Sequence, residues 1–163
     1  GVLTLEERDI AMGEDDSLSE PHCLLGYQML SSFKPYEDIA QIIKYHHTHY
    51  FEGEQMSDFN KGSYIVHCAH RIDTMIAPKM DILIQTDRII DRISSQSGSI
   101  FDTDTVDAFL EVANKESFWK DIVDFSIEDL FAKIDCDDNT EIDLETMQGF
   151  IETLTQIVDY RSR

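Results

Sequence analysis

Ile39-Ala40-Gln41-Ile42-Ile43-Lys44-Tyr45-His46-His47 is the stretch from which the fold and the chemistry of this chain are best read. Its apolar residues at 39, 42 and 43 have the three-and-four spacing of one helix face, and that stripe runs on into His46, with His47 one step around. Segments on either side repeat the arrangement. Around 21–33, His22 lines up with Leu25, Met29 and Phe33, with Gly26 one turn on. Around 63–76, Asp73 lines up with Val66, Ala69 and Ile76. An ionisable side chain on a core-facing stripe is costly unless it is paired, hydrogen-bonded or metal-bound. Three such helices, carrying His22, His46-His47 and Asp73, predict one buried polar site.

Outward from these helices the pattern stays helical. Ser19-Glu20-Pro21 reads as a helix start, with proline tolerated in the first turn, and Lys34-Pro35 as a break. Residues 48–62, with two glycines and no period, read as a loop beside the paired histidines. A helix over about 63–76 stops before Pro78, and the next, to about Ser95, buries Ile82, Leu83, Ile89, Ile90 and Ile93. Ser94 to Ser99 is linker-like. Val106, Phe109, Leu110 and Ala113 return to helical spacing; Phe118, Trp119, Ile122 and Val123 form one apolar anchor, and Ile127, Leu130, Phe131 and Ile134 another. The last helix, about 143–161, places Leu144, Met147, Ile151, Leu154 and Val158 at 3,4,3,4 spacing, which suits a seam against another helix. Before the first histidine helix, Thr4-Leu5-Glu6-Glu7 has the form of a capping box and 13–19 reads as an acidic loop. Sustained strand-type alternation is absent, so the expected fold is all-α.

Composition narrows the function. The chain has 163 residues, enough for one core, and 33 acidic against 13 basic residues, a formal charge of −20. Such a surface repels phosphate polymers and anionic lipid, so neither a nucleic-acid polymer nor a membrane is an expected partner. Three cysteines (Cys23, Cys68, Cys136) without a C-x-x-C spacing argue against a disulfide framework and for a reducing compartment; with no apolar run of about 18–20 residues and no signal peptide, the expected location is cytoplasmic. Asp135 to Thr146 imitates a calcium loop, but Thr140 stands where glycine permits the sharp turn and Thr146 where a bidentate glutamate closes the shell. No calcium site is expected there, and its aspartates read as caps for the last helix.

Histidines with an aspartate suit zinc, iron or manganese, and equally suit a buried, hydrogen-bonded structural cluster; spacing alone does not choose. His67 and His70 share the Asp73 helix and read either as alternative ligands or, by preference, as part of a His–Asp structural pair. His49 reads as loop surface, Cys68 as a small buried hydrophobe, and Phe118-Trp119 as core.

Pro21-His22-Cys23-Leu24-Leu25-Gly26, followed by Ile42-Ile43-Lys44-Tyr45-His46-His47, resembles the second half of an HD domain, in particular the HD-GYP subgroup. Arg71-Ile72-Asp73 is similar to that family's late aspartate-bearing helix, and Phe101 to Phe109 to the start of a packing helix. The resemblance implies a helical, metal-dependent phosphohydrolase relative, with His22, His46, His47 and Asp73 standing where family members place ligands for iron, manganese or zinc. Two departures weigh against catalysis. The family's upstream His-Asp pair is missing, and His46-His47-Thr48-His49-Tyr50-Phe51-Glu52-Gly53 lacks the Gly-Tyr-Pro loop that accompanies cyclic di-GMP hydrolysis.

The expected organisation is a lead-in over 1–20, an HD-GYP-like core over 21–125 that is incomplete on its N-terminal side, and a helical hairpin or connector over 126–163. The expected function is that of a divergent regulatory or dimerisation module in a bacterial signalling protein, a homo-oligomer or the neighbour of a further domain in a longer chain. The alternative is a phosphohydrolase completed by residues outside this chain, with a cyclic dinucleotide or other phosphoester as ligand.

Overall fold

The computed structural model describes residues 20–53, 60–124, 126 and 143–161, and within them the fold is all-α. The helices are α1 (Glu20–Ser31), α2 (Glu37–Tyr45), a single turn α3 (Tyr50–Gly53), α4 (Gly62–Met75), α5 (Ile82–Ser95), α6 (Thr103–Ala113), α7 (Glu116–Val123) and α8 (Leu144–Arg161). A 3-10 turn at Lys34–Tyr36 carries Pro35 in its first positions, so the proline ends α1 and starts the approach to α2. The capping box at 4–7, the acidic loop at 13–19, the anchor at 127–134 and most of the calcium-like loop lie outside the described residues.

Helix α2 lies between α1 and α4, and two glycines set how closely it is held. A Cβ at Gly26 on α1 would stand 2.7 Å from Ile43 Cγ2, and one at Gly62, opening α4, would stand 2.8 Å from Ile42 Cδ1. Ala40 on α2 is fully buried, and the buried Ser63 hydroxyl donates to the Ile42 carbonyl at 3.1 Å. Small residues on all three helices therefore bring the backbones together, and the larger side chains one turn away meet at the ends.

The second half is packed by hydrocarbon. Cys68 and Ile72 of α4 join Ile82, Ile89, Ile93, Phe101, Val106, Phe109, Ala113 and Trp119 in one buried cluster. Trp119 satisfies its indole N–H on the Ala113 carbonyl at 2.7 Å, which allows its whole ring to be buried. Aspartates cap both helices of this layer, Asp81 accepting from the Leu83 amide and Asp102 from the Thr105 amide, each at 2.9 Å. Gln85 is buried and holds the α4–α5 connection through Ala77 and Met80. The two halves are tied where the Tyr50 amide donates to the Ile100 carbonyl and the Tyr64 hydroxyl to the Tyr50 carbonyl. Helix α8 begins at an Asp143 cap on the Thr146 amide, the one part of the calcium-like loop within the described residues, and packs against α1 and the 3-10 turn.

Three details depart from the sequence reading. Ile39 is about half exposed, and the buried position of that turn is Ala40. On α4 the buried line runs through Tyr64, His67, Cys68 and Ile72, one step round from the expected Val66, Ala69 and Asp73. Ala69 and Asp73 are exposed in consequence. Val123, expected in the second-half anchor, is also exposed.

Candidate metal centre

Three of the four expected ligands come together. His22 enters from the first turns of α1, and His46 and His47 from the C-terminal end of α2. The His22 Nε2 atom is 3.4 Å from His46 Nε2 and 3.2 Å from His47 Nε2. Asp73 is not part of the group: it is exposed on α4, near enough to His70 for its charge to be felt there. The place beside the histidines is taken by Cys23, whose buried Sγ lies 3.8 Å from His22 Nε2 and 3.6 Å from His46 Nδ1. Ligand atoms from His22, Cys23, His46 and His47 all lie within 4.8 Å of one another, so this group could hold a metal ion.

The proton arrangement favours that use. His46 Nδ1 is 2.6 Å from the Ile43 carbonyl, which can only accept, so the proton of a neutral His46 sits on Nδ1 and Nε2 keeps its lone pair. That lone pair faces His22 Nε2, a nitrogen also approached by His47 Nε2 and Cys23 Sγ. A single ring nitrogen can satisfy one such neighbour at a time. A cation among the converging atoms would satisfy several at once. The spacing agrees: metal–nitrogen bonds of 2.0–2.1 Å in a tetrahedral shell place ligand nitrogens about 3.3 Å apart.

Burial keeps the His46 and His47 imidazoles neutral. His46 is lowered from 6.5 to about 4, chiefly by desolvation, against which the Ile43 hydrogen bond works, with the His22 and His70 charges adding to the lowering. His47 is lowered to about 2 by desolvation and then by four neighbouring histidines. A neutral imidazole is the form that binds metal.

The remaining histidines extend the cluster. His70 packs edge-on against His46 and His47, with ring centroids 5.7 and 5.0 Å away. Its Nε2 and the Nδ1 of His47 are buried without a hydrogen-bond partner. Burial lowers its pKa, while Asp73 opposes the shift. No hydrogen bond joins His70 to Asp73, whose charge nevertheless acts on it, and the His70 ring packs against other histidines. His67 is fully buried between the His47 ring and Phe101, and His49 is half-buried and stacked on His67 at 5°. All six histidines of the chain thus form one continuous group. His49 is part of that packing, against the expectation of loop surface.

Cys23 was missed by the sequence reading, which offered His67 and His70 only as alternative ligands or as a His–Asp pair. The available signals were the adjacency of Cys23 to His22 and the three-residue spacing of His67 and His70, which puts both on the buried side once the phase of α4 is known. No family model, curated protein or solved structure matches the chain, so its class rests on what is observed directly: an all-α fold with a histidine-rich group suited to a metal ion. No helix among the described residues is long and apolar enough to cross a membrane.

Proposed function

We propose that this chain is a divergent HD-type helical module that binds one divalent transition-metal ion, zinc, iron or manganese, through His22, His46 and His47, and acts as a regulatory unit rather than a phosphohydrolase. The observation that carries this reading is the convergence of three histidine Nε2 atoms in a group to which, among the described residues, no carboxylate belongs. Hydrolysis of a phosphodiester by paired metals needs a ligand that bridges them, usually an acid, and a second ion to bind the leaving oxygen. With Asp73 on the exposed side of α4, the donors in the group suit a single ion.

Metal analysis and calorimetry on the purified chain test the proposal. One equivalent of zinc, iron or manganese is expected, with binding weakened at least 100-fold by His46→Ala and no turnover of a chromogenic phosphodiester. Turnover that depends on added manganese or iron and disappears in His46→Ala would favour the enzyme. Failure of all three metals to bind would leave the histidines a structural cluster.

Assembly is supported by a separate observation. Helix α8 exposes Leu144, Met147, Ile151, Leu154 and Val158, the 3,4,3,4 positions of a helix seam. Its other side is committed: Thr153 is buried beside Ser32, and a Cβ at Gly149 would run into the Ser32 carbonyl. The positions flanking the seam, Gln148, Phe150, Thr155 and Ile157, carry no charge, so two copies of an otherwise acidic chain can meet there without repulsion. We infer that α8 pairs with α8 of a second copy. Light scattering should find a dimer that Leu154→Glu converts to a monomer; a monomeric native chain at all concentrations overturns it.

A further inference from the structure

Cys23 has a role that the three histidines alone do not explain. Its sulfur is buried beside them, and it reaches the group because it follows His22 on α1, one turn before the Gly26 contact that holds α1 against α2. In a tetrahedral zinc shell with bonds of about 2.3 Å to sulfur and 2.0–2.1 Å to nitrogen, sulfur and nitrogen stand about 3.5 Å apart. The observed distance from Sγ to His22 Nε2 is 3.8 Å. The nearby His46 Nδ1 gives its proton to the Ile43 carbonyl, so it offers the thiol no lone pair for an S–H···N bond.

We propose that Cys23 is the fourth ligand, a thiolate that closes a three-histidine, one-cysteine shell around the metal. The inference rests on the metal-binding reading above and deepens it. Four protein donors fill a tetrahedral shell and leave no position for water, which makes the ion structural or regulatory rather than hydrolytic. Binding forms the metal–sulfur bond and breaks the S–H bond, and the proton leaves to solvent. A thiolate ligand therefore releases one proton per ion that a shell lacking the cysteine would not. Soft sulfur in the shell also shifts preference from manganese toward zinc. Cys68 offers an internal control. It lies in the hydrocarbon core of α4, and desolvation pushes its thiol up to about 11, so it stays protonated and away from the metal.

Cobalt titration of the full chain tests this, with native protein, Cys23→Ser, Cys68→Ser and His46→Ala compared under circular dichroism to check folding. The expected result is one cobalt per chain, with the visible bands of tetrahedral cobalt and a near-ultraviolet sulfur-to-cobalt charge-transfer band. Cys23→Ser should lose that band and bind at least tenfold more weakly while still binding; Cys68→Ser should match the native chain. Cobalt binding without a charge-transfer band, or a band that survives Cys23→Ser, overturns the thiolate ligand and leaves the three-histidine site standing. If native protein binds neither cobalt nor zinc, both readings fall. Release of one proton more per ion by native protein than by Cys23→Ser, in buffers of different ionisation enthalpy, supports the thiolate independently, and equal release overturns it.

Discussion

The two halves of this protein are packed by opposite means. Around α5, α6 and α7, isoleucines, phenylalanines and Trp119 fill the interior, and the polar atoms buried there are satisfied locally, as with the Trp119 indole. Between α1, α2 and α4 the close approaches are made by Gly26, Ala40, Gly62 and Ser63, and the volume beyond them is filled by imidazoles. The first kind of interior is indifferent to pH and ions. The second is conditional, because neutral rings with buried nitrogens that lack partners are held at a cost until a cation or a proton arrangement satisfies them.

The largest effect is expected from the hydrocarbon half. Trp119→Ala should destabilise the fold by about 3–5 kcal/mol in urea unfolding, with no pH dependence of that deficit between about pH 5 and 7. A deficit that grew in acid would erase the distinction between the halves.

Acid should act on the histidine half. His46 and His47 have ordinary values of 6.5 when unfolded and are lowered to about 4 and about 2 when folded. Their contribution is complete above about pH 6.5 and is lost as pH falls, because the unfolded chain then takes up protons that the folded chain refuses. For His46 the window runs from 6.5 down to 4 and is worth on the order of 3 kcal/mol; His47 continues the loss below it. Denaturant midpoints of metal-free protein measured from pH 7 to pH 4 check this, and bound metal should flatten the profile.

The glycine contacts sharpen the contrast within the histidine half. Gly26→Ala drives a methyl against the branched Cγ2 of Ile43, whereas Gly62→Ala meets the movable end of Ile42. The first should cost about 1–3 kcal/mol and weaken metal binding by spreading α1 from α2; the second should be near neutral, because alanine's helix preference offsets the contact. Equal effects would mean that the helix spacing is set elsewhere. The smallest effect belongs to Asp73→Asn, which should leave metal affinity within twofold of native by calorimetry; a larger loss would bring the carboxylate back into the site.

Much of the helical layout was legible because it depends on local signals. Pro35 and Pro78 mark breaks, Asp143 caps the last helix, and the aliphatic spacing of α5 and α6 announces the buried side. His22, His46 and His47 could be picked out for the same reason, as polar residues in line with apolar ones. The error at Asp73 arose from phase. The window around 63–76 has apolar residues on more than one face, so Val66 and Ala69 suggested a stripe that tertiary packing did not use.

The sequence by itself determined that the chain is helical, that it is strongly acidic, and that its imidazoles are gathered in three neighbouring segments, because backbone periodicity, capping and charge are properties of short stretches. Only the tertiary structure decided which donors face one another. Replacing Asp73 by Cys23, and drawing in His67 and His70, depends on how far each helix is rotated about its own axis, and that rotation follows from where Gly26 and Gly62 let neighbouring backbones touch.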